Sequence, residues 1–211
     1  MLETIPLVLG PVSTNCYLIA DIDSGEAAVI DPAWDGQVIL AEAQKRGWKI
    51  GQLWYTHAHF DHIGGAAELA AALSPQPVIA MHSAERPLWE MGGGGMLFGY
   101  RIDKGPEPSM DLALISVFKL GGLSFEVRHT PGHTPGHSVF YCASANVLFS
   151  GDLIFHRSVG RTDLPGGDWE TLVRSIREQV FPLPEETRIL SGHGDETRVG
   201  EEKCGNPFVG T

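Results

Sequence analysis

Seven potential metal ligands recur along this chain: His57, His59, Asp61 and His62 inside THAHFDH, then His133, Asp152 and His193. Three imidazoles and a carboxylate within six residues can hold metal ions side by side. A water bound to such ions becomes a strong nucleophile near neutral pH. An isolated HxH pair is nonspecific, but HxHxDH followed by PGH, GD and GH is the pattern of a built metal site.

The elements that must position these residues are legible around them. Thr56, Thr130, Ser150 and Ser191 each close a β-like run, and a ligand follows within a few residues. The spacing therefore predicts that all seven gather on one rim of the sheets, where Gly64, Gly132, Gly136, Gly151, Gly192 and Gly194 let the backbone turn tightly. Runs at 7–10, 16–20 and 27–31 read as an antiparallel opening meander. Residues 36–46 form a helix stopped by Gly47, and 53–56 form a strand that delivers THAHFDH. An alanine-rich helix over 66–73 and a strand over 78–81 follow. Residues 123–127 alternate with a period of two, and 139–142 with 147–150 form a hairpin. Trp169 to Val180 carries apolar residues at helical spacing behind Asp168, a capping residue. The last strand is expected at 188–191. Between them, Met91 to Ser109 is rich in Gly and Pro and reads as a long mobile loop, four consecutive glycines arguing against a stable helix there. It is either a plain solvent loop or an active-site flap offering Met96, Leu97, Phe98 and Tyr100.

The 211 residues, 43% of them apolar, suit one layered α/β domain spanning 1–211. No apolar run approaches the roughly 20 residues of a membrane span, and the start lacks the features of a secretory signal, so a cytoplasmic protein is expected. Three cysteines (Cys16, Cys142 and Cys204) without CxxC spacing argue against a disulfide framework and a cysteine-based zinc site. A formal net charge of −11 with no basic cluster argues against nucleic acid as a partner.

On HTPGHTPG, SGDLIF, VGRTDLPGGD, SGHG and NPF, together with TNCYLI near the start, the chain resembles the metallo-β-lactamase fold superfamily, and within it the compact glyoxalase II (hydroxyacylglutathione hydrolase) branch. The resemblance covers nearly the whole chain. It implies a four-layer αββα sandwich. It implies that His57, His59 and His133 hold a first metal, that Asp61, His62 and His193 hold a second, and that Asp152 bridges them, Asp61 and Asp152 being the carboxylates of the catalytic centre. β-Lactamase-type members generally carry a cysteine where Asp152 stands. An aspartate favours two hard or borderline divalent ions, zinc first with iron and manganese as alternatives, sharing one hydroxide.

Beyond the ligands, His137 either orients a neighbouring ligand or caps a strand. Asp31 either hydrogen-bonds a metal-binding histidine or initiates a turn. His82, His129 and His156 read as surface or hydrogen-bonded residues.

No Ser/His/Asp set stands apart from the metal histidines, so the nucleophile should be water. A thiolate leaves without a protonated amine, which makes thioester hydrolysis fit a site built of metal ligands alone. The resemblance implies S-D-lactoylglutathione, cleaved to lactate and glutathione. Only 18 residues follow His193, so the C-terminal helical domain of long glyoxalase II enzymes is not expected. Arg161 is the candidate substrate anchor, or else a salt-bridge partner of Asp163. The runner-up is a persulfide dioxygenase with one iron on His57, His133 and Asp152; a nuclease or a non-catalytic metal-binding module is less favoured.

Overall fold

The computed structural model describes residues 1–210. Two six-stranded sheets face each other. The first runs in chain order: β1 (Leu2–Leu9), β2 (Thr14–Asp21), β3 (Glu26–Ile30), β4 (Lys49–Trp54), β5 (Val78–Met81) and β6 (Met110–Asp111). β1, β2 and β3 form the antiparallel meander, and β3 to β6 pair in parallel. The second sheet contains β7 (Val117–Leu120), β8 (Leu123–His129), β9 (Ser138–Cys142), β10 (Val147–Gly151), β13 (Arg188–Ser191) and β14 (Thr197–Arg198), in the order β14-β13-β10-β9-β8-β7. A small ribbon of β11 (Ile154–Phe155) and β12 (Ser158–Val159) stands apart from both.

Strand alternation accounts for the layers. On β2, Tyr17 and Ile19 face the second sheet, while Cys16, Leu18 and Ala20 face helices; all are buried, as strands covered on both faces require. Trp54 of β4 centres the inter-sheet core, its ring 5.0 Å from Phe118, 5.0 Å from Phe125 and 5.3 Å from Phe140. Outside the first sheet, α1 (Gly36–Arg46) and α3 (Ala66–Ala72) bury Ile39, Ala43 and Leu69 against Leu18, Val29 and Leu53. Outside the second, α5 (Trp169–Ser175) and the wider π-turn that continues it to Val180 bury Leu172 and Ile176 against Val139, Tyr141 and Leu148. Asp168 caps α5, its Oδ1 accepting from Thr171 N at 2.8 Å. The arrangement is the expected αββα sandwich.

Two expectations are corrected. The strand at 188–191 is not the last, because the two-residue β14 pairs with it before α6 (Val199–Gly205); two residues are too few to show a period. The segment from Met91 is no plain solvent loop. α4 (Arg86–Glu90) leads into Gly92, Gly93 and Gly94, all left-handed, and Gly95–Phe98 forms one 3₁₀ turn. Gly93 accepts a hydrogen bond from Phe60 N at 3.0 Å, and any β-carbon there would overlap Phe60 backbone, so the glycines permit close packing against the loop that carries the histidines. Between β4 and α3, the short helix α2 (Phe60–Ile63) orients Asp61 and His62.

Candidate metal centre

All seven candidate ligands lie at one edge of the sandwich, at the C-terminal ends of β4, β8, β10 and β13 or in the loops just beyond. His57, His59 and His133 bring ring nitrogens within 4.8 Å of one another, as do the ligand atoms of Asp61, His62 and His193. Asp152 lies between the two groups. Its Oδ1 is 3.3 Å from His62 Nε2, and its Oδ2 is 3.7 Å from both His133 Nε2 and His193 Nε2. Asp61 Oδ2 is 3.4 Å from His62 Nε2 and 3.3 Å from His193 Nε2, and accepts from Thr14 Oγ1 at 3.0 Å.

Three of the rings, those of His57, His62 and His133, are oriented through the nitrogen they do not present to the centre. His62 Nδ1 meets Asp31 Oδ2 at 2.9 Å, and His133 Nδ1 donates to the Arg161 carbonyl at 2.7 Å. The latter bond leaves His133 Nε2 with a lone pair, 2.9 Å from His59 Nδ1. His57 Nδ1 is 3.0 Å from Thr56 Oγ1. Asp31 also accepts from Thr56 N and Thr56 Oγ1, both at 2.7 Å, so although it clusters with His57 and His62, its oxygens are committed to protein donors. It is a support for His62 rather than a ligand. His137 acts on the backbone: its Nδ1 is 2.9 Å from Thr130 Oγ1, and its Nε2 accepts from Asp152 N at 3.2 Å. Gly192 is required beside this carboxylate, since a β-carbon there would overlap Asp152 Oδ1.

One support escaped the sequence reading. Glu85, wholly buried, accepts from Ala58 N through Oε2 at 2.8 Å and from Gly136 N through Oε1 at 2.7 Å. One carboxylate thus ties the loop of His57 and His59 to the loop of His133. Burial nonetheless pushes its pKa up, against the pull of these donors.

The electrostatics favour positive charge beside the carboxylates: burial opposes it, but Asp152 and Asp61 hold both His62 and His193 above the ordinary histidine pKa. Burial, then the neighbouring imidazoles of His62 and His133, holds His57 well below the ordinary histidine pKa; burial and His133 lower His59 to about 3. Both are therefore neutral bases, the form a metal requires. Burial opposes ionisation of Asp61, but His62 and His193 outweigh it and bring the group down to about 2. The same contest resolves the same way at Asp152, which is held below the usual carboxylate range chiefly by His62.

Whether the residues fit divalent ions is decided by atoms that the protein leaves unmatched. His57 Nε2 is buried without any hydrogen-bond partner in the protein, and the buried His62 Nε2 and Asp152 Oδ1 face only each other at 3.3 Å without a well-formed hydrogen bond. Buried polar atoms of this kind are costly unless something meets them, and mixed imidazole and carboxylate donors suit zinc, iron or manganese. The centre opens into a cavity of about 460 Å³ walled by Val12, Phe60, Phe98, Tyr100, Phe155 and Leu164. Arg161 also lines it, and its Nε and Nη2 each lie 2.7 Å from an oxygen of Asp163, an exposed bidentate pair. His82 and His129 stack on each other, 4.2 Å between ring centres, while His156 is exposed.

Known proteins share this architecture. A hydroxyacylglutathione hydrolase, GloC, from Haemophilus influenzae is 34% identical over 99% of this chain and 97% of its own length. The BLEG-1 B3 metallo-beta-lactamase superposes with a TM-score of 0.91 at 36% identity, over 99% of both chains. TTHA1623, solved in a di-iron-bound form, superposes with a TM-score of 0.87 at 39% identity, over 97% of this chain and 99% of its own. The family model of the metallo-beta-lactamase superfamily matches residues 9–193, a span that holds every candidate ligand, and the chain belongs to that superfamily.

Proposed function

We propose that the protein is a thioester hydrolase of the hydroxyacylglutathione hydrolase type, acting on glutathione thioesters such as S-D-lactoylglutathione. The observation that carries this reading is what lines the cavity. Apart from the ligand cluster, its ionisable side chains among the described residues are Tyr100 and Arg161, with no Ser, Cys or Lys. Water is then the nucleophile, and no spare carboxylic acid or imidazole stands ready to protonate a poor leaving group. A thiolate needs no such acid. The likeness to GloC of Haemophilus influenzae supports the same substrate class.

His57, His59 and His133 would hold one divalent ion and Asp61, His62 and His193 the other, with Asp152 facing both. Such ions lower the pKa of water and polarise the attacked carbonyl. The chain's own residues do the rest. Asp31, Thr56 and the Arg161 carbonyl fix the imidazole orientations. Phe60 stacks on Tyr100 at 5.2 Å and on Phe98 at 5.7 Å, an aromatic wall along one side of the cavity. Arg161 at the rim would meet a carboxylate of the thiol arm by exchanging it for Asp163.

A single-iron persulfide dioxygenase would use His57, His133 and Asp152 and leave the second cluster without a task. His62 argues against that: it is wholly buried, its Nδ1 is held by Asp31, and its Nε2 is aimed between the carboxylates of Asp61 and Asp152. No helix of the described residues is long and apolar enough to cross a membrane, and glutathione chemistry with three free cysteines suits the cytoplasm. The test is anaerobic turnover of lactoylglutathione with release of free thiol. Oxygen consumption on glutathione persulfide without thioester turnover would overturn the reading.

A further inference from the structure

A second cavity, of about 290 Å³, adjoins the metal-centre cavity and shares His59, Phe98 and Leu164 with it. Its remaining walls come from α4 and the glycine-rich turn, with Leu88, Met91 and Leu97, and from the facing Pro135. Among the described residues no Asp, Glu, Lys or Arg lines it. The one titratable group there is His59, whose other commitments are to the ligand cluster.

We infer that this cavity is a subsite for an uncharged, apolar acyl arm of the substrate, so that the enzyme favours thioesters of longer aliphatic acids over lactoyl thioesters. The inference rests on the thioester reading above and names the acyl class for that site. Charge distribution sets the orientation. Among the described residues Arg161 is the one Lys or Arg lining either cavity, and it lines the metal-centre cavity alone. A thiol arm bearing carboxylates is drawn to that side. The acyl arm, lying across the scissile carbonyl from it, is left to the walls of Leu88, Met91 and Leu97. There, each methylene removed from water contributes favourably, whereas the hydroxyl of a lactoyl group finds no polar side-chain partner other than His59.

The exposure of the turn agrees with a site that a ligand covers. Leu97 is 70% exposed, Met91 64% and Phe98 45%, three large apolar side chains at the mouth of one pocket. The glycines at 92–94 let this turn approach Phe60, which places Phe98 as the partition between the two cavities.

The test uses binding and turnover on the same metal-loaded protein. Calorimetry compares S-methylglutathione with S-hexylglutathione, thioethers that cannot be hydrolysed, and steady-state kinetics compares lactoylglutathione with hexanoylglutathione. S-Hexylglutathione is expected to bind about tenfold or more tighter than the methyl compound, and hexanoyl turnover to exceed lactoyl by a similar factor in kcat/KM. Leu97→Asp, at a position exposed enough to keep the fold, should erase the hexyl advantage. Equal binding of the two thioethers, or an advantage that survives in both Leu97→Asp and Leu88→Trp, would overturn the subsite. If the hexyl advantage is present and lost in the variants while no thioester is cleaved, the subsite stands and the reaction assigned above falls.

Discussion

Asp31 Oδ2 lies 2.9 Å from His62 Nδ1, and Asp31 makes this contact from a left-handed backbone with φ of 51°. A non-glycine residue in that region carries strain, of order 1 kcal/mol, that its surroundings must offset. The surroundings are the hydrogen bonds from Thr56 N and Thr56 Oγ1, which lock the carboxylate at the end of β3 beside the end of β4. The AAVID turn is thus set so that one histidine of the next loop can be aimed.

Asp31→Ala is expected to lower metal affinity by roughly 10–100-fold, the usual effect of removing a carboxylate that orients a liganding histidine. Competition with a chromophoric chelator measures it. Unchanged affinity would mean that α2 alone orients His62.

Asp152 faces both ligand groups, so Asp152→Ala should remove turnover and reduce bound metal measured by elemental analysis. Full activity in that variant would contradict its place between the ions.

Glu85→Ala leaves Ala58 N and Gly136 N buried without acceptors, at about 1–3 kcal/mol for each unsatisfied group. A clear fall in melting temperature is expected together with weaker metal binding. Glu85→Gln keeps one acceptor oxygen and should fall between wild type and Glu85→Ala on both measures.

Asp163 holds one edge of the Arg161 guanidinium, through Nε and Nη2. If it anchors a carboxylate, Arg161→Ala raises KM for glutathione thioesters more than for small neutral thioesters, and Asp163→Asn lowers the former. Equal effects on both substrate types would assign the pair to structure alone.

The stack of His82 on His129 supplies a pH signature away from the metal centre. Burial, and then His129, lowers the His82 pKa below its ordinary value, while Asp111 pulls the other way. The folded state therefore takes up this proton less readily than the unfolded chain. Stability from this group is full above the ordinary histidine pKa of about 6.5 and declines as pH falls below it. His129→Gln should shrink the loss in melting temperature between pH 7 and pH 5. An unaltered pH profile would mean that the repulsion between the two rings is negligible.

The gathering of the candidate ligands at one edge and the main strands were legible because each depends on local sequence. Helix 36–46 ends on Gly47, strands 78–81 and 188–191 stand between turn signals, and the ligands follow strand ends. Asp31 and His137 were visible only as alternatives, since their partners Thr56, Thr130 and Asp152 N lie in other strands and loops. Glu85 was missed altogether: a glutamate in SAERP reads as a solvated charge, and only the folded approach of Ala58 and Gly136 makes it internal. The glycine-rich stretch was left between a solvent loop and an active-site flap for a related reason. Left-handed glycines look like absence of structure in a sequence, yet here they allow backbone contact with Phe60.

The two sheets divide the chain in order, the first ending at Asp111 and the second beginning at Val117. His57, His59, Asp61 and His62 belong to the first half, and His133, Asp152 and His193 to the second. Asn15 Nδ2 and Tyr17 OH, both on β2, donate to the Ser191 carbonyl at 2.9 Å and 2.7 Å beside the ligand edge. Neither half carries a full ligand set for either ion. If both ions bind as proposed, each would tie one half to the other, and chelation should loosen that seam before it melts either sheet, which hydrogen exchange at Asn15 and Tyr17 would register.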